Sequence, residues 1–180
     1  MAHRDRFIRS PQSDEYAPYY ADYVARMEGE DMLGALESGL KADLALLEGI
    51  ASARGEERYA PDKWSIAELL GHVVDIERTF SWRAMCLARG IVDEPLPGVD
   101  QDVMVPLAQS NERGLASLTR EYEHLRRSNL ELFSTFGDEQ LARRGVASGM
   151  ELTARAAIAI LGGHAAHHFE VLRERYVGNS

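Results

Sequence analysis

The stretch Gly162-Gly163-His164-Ala165-Ala166-His167-His168-Phe169-Glu170 decides how this chain is read. It carries three of the six histidines. Apolar residues surround it, Ala156 to Leu161 before and Val171-Leu172 after. Burying an imidazole is costly unless it finds a hydrogen-bond partner or a metal. If the run is a helix, His164 and His168 stand at i and i+4, on one face and one turn apart. Two imidazoles at that spacing can ligate one metal ion. His164 and His167 are also helical neighbours, and periodicity does not choose between them, because the run is apolar on most sides. A third ligand has to come from elsewhere in the chain.

Working back towards the N-terminus, His72 is the histidine best placed to supply it. It lies about two turns into a segment that opens at Trp64-Ser65-Ile66-Ala67-Glu68 and stops at Gly90. Ser65 and Glu68 form a capping box, hydroxyl at the N-cap and carboxylate at N3. Leu69, Val73, Ile76, Phe80 and Leu87 give the segment one apolar face. A helix over 31–50 precedes it, with Leu33, Leu36, Leu40, Leu44 and Leu47 on one face and Asp31 as cap. A third helix is expected over 107–136, with Leu115, Leu118, Tyr122, Leu125, Leu132 and Phe133 inward, and Gly137 ends it. Thr153 is the expected N-cap of a fourth, running to about Tyr176. The connections at 51–64, 90–106 and 137–152 read as loops. No strand pattern with hairpin turns and no internal repeat is evident. The expected fold is all-α, a four-helix bundle over 14–180. Residues 1–13 are expected to form a loosely held N-terminal arm. A short helix is expected over 18–27, with its tyrosines packed along the domain.

The histidines can meet only if their heights along the bundle agree. At ~1.5 Å per residue, His72 is ~11 Å from the start of its helix, and the His164/His168 midpoint ~15 Å from the end of the fourth. The same midpoint is ~20 Å from the start of the fourth helix, so the levels match better if helices 2 and 4 run antiparallel. That requires an up-down-down-up bundle, with a long crossover between helices 2 and 3. The segment 90–106 can reach ~55 Å, more than a bundle's length. Three neutral imidazoles then leave a coordination position open, as in catalytic rather than structural sites. Glu68 could approach the metal but is explained by its cap, and Asp75 and Glu77 are candidate acceptors that orient an imidazole. Glu121-Tyr122-Glu123-His124 holds one Glu-x-x-His, and the second that a di-iron carboxylate bundle requires is absent.

Composition narrows the function classes. The 180 residues suit one domain, with 45% hydrophobic and 27% charged. The net charge of -9 argues against binding nucleic acid or an anionic membrane surface. No apolar run nears the ~20 residues that span a bilayer, and no signal peptide opens the chain, so a cytoplasmic location is expected. Cys86 is the only cysteine, which excludes an intrachain disulfide, and its apolar helical setting makes it a core residue.

Several pieces together resemble the DinB-like superfamily of metalloenzymes. They are Lys63-Trp64-Ser65-Ile66-Ala67-Glu68-Leu69-Leu70-Gly71-His72, then Asp75-Ile76-Glu77-Arg78 and Arg83, Leu96-Pro97-Gly98, and Gly163-His164-Ala165-Ala166-His167-His168 with Glu174-Arg175-Tyr176. The similarity spans about 14–176. It implies an up-down-down-up four-helix bundle whose divalent metal ion is held by His72, His164 and His168. Metals seen in the family include nickel, zinc and iron. Characterised relatives include bacillithiol S-transferases and the mycothiol-dependent maleylpyruvate isomerase. The resemblance therefore implies a metal-dependent enzyme of S-transferase or hydrolase type, with a small-molecule substrate and a low-molecular-weight thiol as candidate cofactor. Trp64, Tyr59 and the 90–106 crossover are the expected mouth of the site. The competing expectation is a non-catalytic metal-binding bundle that acts in stress response through a protein partner. A homodimer through an apolar helix face is a further expectation, with no face marked.

Overall fold

The computed structural model describes residues 7–91 and 93–178. Four long helices form the body: α1 (Met32–Glu48), α2 (Ile66–Arg89), α3 (Leu115–Ser134) and α4 (Ala154–Val171). Their ends follow local rules. Asp31 accepts from the Gly34 amide, Thr153 from the Ala156 amide, and Ser65 and Glu68 close a reciprocal capping box. Gly90 ends α2 at φ 73°, where a side chain would be strained.

Two apolar clusters give the helix directions. One holds the start of α1 (Met32, Leu36), the end of α2 (Ile76 to Ala88), the end of α3 (Phe133) and the start of α4 (Ala154 to Leu161). The other holds the end of α1 (Leu40, Leu47), the starts of α2 and α3, and the end of α4 (Ala165, Phe169). Helices α1 and α4 therefore run one way and α2 and α3 the other, which is up-down-down-up. Helix α2 packs against both α3 and α4, and α1 against the same two from the opposite corner. The fold class and topology expected from the sequence are those observed. No helix among the described residues is long and apolar enough to cross a membrane.

Three local expectations are corrected. The third helix begins at Leu115, not 107, because Gln109 (φ 49°) and Gly114 (φ 75°) adopt left-handed backbone that a continuous helix excludes. The residues before them form a separate crossover helix, Gln101–Leu107. Secondly, residues 144–153 are not loop: β1 (Arg144–Ala147) pairs antiparallel with β2 (Met150–Thr153). Ser148 (φ 53°) and Gly149 (φ 73°) join them, the two positive φ values of a type I′ hairpin turn. The Ser-Gly pair was the overlooked signal. Leu96 of the crossover pairs with Ala147, so the hairpin pins the crossover down. Thirdly, the inner face of α3 carries Arg126 and Asn129 where Leu125 and Leu132 were expected; both leucines are only partly buried. Helix α4 ends at Val171, and a wider π-helical turn, Leu172–Val177, carries the chain onward.

Within the expected N-terminal arm, residues 1–6 lie outside the described residues. The next part is tied down: Ile8 is buried in the core and its carbonyl accepts from the Met32 amide. In the expected 18–27 helix, a 3-10 turn (Pro18–Tyr20) leads into a short helix (Ala21–Ala25) laid against α4. A Cβ on Gly163 would stand 1.8 Å from the Tyr23 carbonyl oxygen, and one on Gly162 would meet Leu36 and Met27 at 2.7 Å. The glycine pair in front of His164 is therefore what lets backbone approach the site.

Candidate metal centre

Both apolar clusters break at one level, and the histidines occupy that level. On α2 the break falls between Val74 and Ile76, within a turn of His72, and on α4 between Leu161 and Ala165, at Gly162-Gly163-His164. The antiparallel run of α2 and α4 brings His72 level with His164 and His168. One ring nitrogen from each lies within 4.8 Å of the other two. The Nε2 atoms of His72 and His164 are 3.0 Å apart. His72 and His164 are buried and His168 is partly exposed.

Burial sets the charge state of these rings. It pushes His72 down to about 4. It pushes His168 to about 3, with His72 and His167 adding to the effect. His164 is held well below its ordinary value, by burial first and then by His168, His72 and His167. All three are neutral at pH 7, with lone pairs available, which is the form that binds metal.

The donor set fits one divalent ion. Two imidazole nitrogens sharing an ion at ~2.1 Å each stand roughly 3–3.5 Å apart, which matches the His72–His164 separation. No carboxylate enters the group, and three nitrogens leave the coordination sphere open.

Aromatic rings hold the histidines in place. Trp64 lies 4.8 Å from the His72 ring and 6.1 Å from that of His168, nearly parallel to the latter. Trp64 is itself fixed by the Tyr176 hydroxyl, which donates to its carbonyl. Tyr23 meets His164 edge-on at 5.4 Å and also touches His167 at 5.9 Å. His167 points past the group, into clefts on the outer surface.

Two clefts reach the centre. The inner one, about 360 Å³, touches His72 and His164 and extends over Ile76 to Arg83 and Ser148. The outer one touches His168 and is walled by Tyr59, Trp64 and Tyr176. Val99 and Gln101 of the crossover border the inner cleft, and Asp102 the outer. The expected mouth residues thus line these clefts.

The other candidates lie elsewhere. Glu68 caps α2 and is ion-paired with Arg58, which with the cap and Asn111 holds it low despite burial. Glu77 does not orient an imidazole: it is buried on the α3 side, where Arg126 donates to both its oxygens. Asp75 faces Arg78, and Glu121 pairs with Arg78 and Arg113. Cys86 is buried, and burial raises its thiol. Arg83, not among the expected site residues, lines the inner cleft. Its signal was a charged residue at a position three after Phe80 and four before Leu87, on the inward side of α2.

An up-down-down-up bundle with a buried three-histidine group defines the class as a helical-bundle protein suited to a divalent metal. The family model described as the DinB superfamily matches residues 35–172, and the chain belongs to that superfamily. Among solved structures it is similar to YfiT from Bacillus subtilis, described as a probable metal-dependent hydrolase with an unusual four-helix bundle topology. The two share 15% identity with a TM-score of 0.68, over 92% of this chain and 93% of that one. No curated protein matches the chain.

Proposed function

We propose that the protein is a cytoplasmic metal-dependent enzyme in which His72, His164 and His168 hold one divalent ion. The observation that carries this reading is the convergence of three neutral imidazoles, from two antiparallel helices, beside a cleft of substrate size. A bound ion would supply Lewis acidity and lower the pKa of a water or thiol in the open position. Among the described residues no thiol lines either cleft, since Cys86 is packed in the core. Trp64 and Tyr23 fix the ring planes. Burial raises the Tyr23 hydroxyl, so it stays protonated at neutral pH and can donate a hydrogen bond beside His164.

Two clefts meeting at one centre favour a reaction between two small molecules, with a low-molecular-weight thiol as nucleophile and an electrophile opposite. With water in the thiol's place a bound ion would suit the same centre to hydrolysis, and YfiT is described as a probable metal-dependent hydrolase. The test is elemental analysis of untagged protein, wild type beside His72→Ala. About one metal per chain in the wild type is expected. In the variant, affinity should fall by more than the ~100-fold typical of losing a supporting partner. A wild type without metal would overturn the reading and leave a bundle that acts through a partner.

A further inference from the structure

The inner cleft has a second polar end. Arg83 is 1% exposed, and among the described residues no carboxylate pairs with it. Its Nη2 donates to the Pro97 carbonyl and to Ser148 Oγ, each at 2.7 Å. Its guanidinium lies 4.7 Å from the Phe80 ring, and the Tyr20 hydroxyl is its other neighbour. Its Nε has no partner at all, the one buried side-chain donor so placed among the described residues. A buried guanidinium with neutral partners and an idle N–H is costly, because burial removes hydration that only an opposite charge restores. Its acceptors among the described residues are neutral, and burial lowers its pKa, whereas the acid-paired Arg126 is raised.

The cost makes sense if the counter-charge arrives with a ligand. Arg83 and Ser148 line the same cleft as His72 and His164. Eleven positions separate His72 from Arg83 on one helix, ~16 Å along its axis, and a long helical side chain leans back towards the N-terminus. The guanidinium and the imidazoles therefore face one cleft from its two ends, on the order of 10 Å apart. We propose that Arg83, with Ser148 and Tyr20, binds a carboxylate at the far end of an extended small substrate whose near end reaches the metal. This rests on the metal-centre reading and adds to it the substrate class, an organic acid. A planar, permanently charged guanidinium suits a carboxylate.

The test uses the full chain loaded with cobalt(II), titrated with 6-mercaptohexanoate and its uncharged isostere 6-mercaptohexanol, reading the thiolate-to-cobalt absorption. The wild type should bind the acid at least ~10-fold more tightly, the size of a charged hydrogen bond. Arg83→Gln should erase the preference while cobalt stays at one per chain. Ser148→Gly relieves a positive φ, so it folds, and should weaken the acid alone by about threefold or more. Equal binding of acid and alcohol to the wild type, a preference surviving Arg83→Gln, or an unchanged acid affinity in Ser148→Gly overturns the proposal. If the wild type takes up no cobalt, the metal reading fails on its own. Calorimetry of hexanoate against hexanol with the metal-free chain then decides the Arg83 site, by the same preference and its loss.

Discussion

Helix α2 carries polar groups into the core on two faces, and the two are handled in opposite ways. Towards α3, Glu77 is clasped by Arg126 through two hydrogen bonds of 2.7 and 2.8 Å, and the Asn129 amide donates to it at 3.0 Å. Asn129 in turn accepts from Ser81. Asp43 of α1 accepts from the buried Tyr122 hydroxyl at 2.7 Å. Every charge there has its partner. Towards α4, three neutral imidazoles face one another with no acid in the group, and further along the same helix Arg83 has no carboxylate partner among the described residues. A closed network fixes how helices pack. An open one leaves valences for something that binds.

The largest expected effect breaks the closed face. Glu77→Gln keeps the shape of the side chain but strands the Arg126 guanidinium, which is 2% exposed. Loss of one partner of such a buried pair should cost ~3–5 kcal/mol, read by urea denaturation. Metal stoichiometry of the folded fraction should not change. A variant as stable as wild type would show that the pair contributes nothing.

A second prediction sets the two faces against each other through pH. For metal-free protein the folded pKa of His72 is depressed to about 4, so its contribution is present above ~6.5 and is lost as pH falls towards 4. The slope is ~1.4 kcal/mol per pH unit, and His168 acts in the same direction. Asp43 is raised to about 6, chiefly by burial, so its contribution is present below ~3.8 and is lost as pH rises through 6. Between about 4 and 6 Asp43 offsets one imidazole. Asp43→Asn should therefore steepen the acid loss of stability in denaturation series at pH 4.5 and 6. An unchanged slope would show that the Asp43 carboxyl titrates normally.

The smallest expected effect is a control on the outside of α3. Glu123 and Arg127 pair at 2.8 Å across one turn, with the arginine largely exposed. Arg127→Ala should cost no more than ~0.5 kcal/mol in the same assay. A larger loss would mean that exposure does not separate these pairs as supposed.

The helices were legible wherever one rule acts over short range. Asp31, Ser65 with Glu68, Gly90 and Thr153 marked ends correctly, because a cap needs only its own backbone. The His164/His168 spacing is a property of a single helix, and the height of His72 follows from counting residues. What failed were the places where the chain leaves regular structure. The Ser148-Gly149 turn is two residues long, and the break at Gln109 and Gly114 interrupts an otherwise helical pattern. Arg126 is absent from the expected inner face, although its place four after Tyr122 and seven before Phe133 puts it on the seam.

Apolar periodicity, capping and chain length are local or additive, so the residues alone made the bundle legible and put His72 level with the histidines of the fourth helix, while the choice of His168 over His167 came from the i, i+4 spacing and the family resemblance. Which charges are paired became visible with the packing of the helices. Glu77 and Arg126 lie far apart in the chain and meet because α2 and α3 run parallel at one level. Among the described residues Arg83 meets a carbonyl and a hydroxyl in place of a carboxylate, because the crossover and the hairpin bring them to it. Composition records that a charge is present, while its partner is fixed by which helices become neighbours.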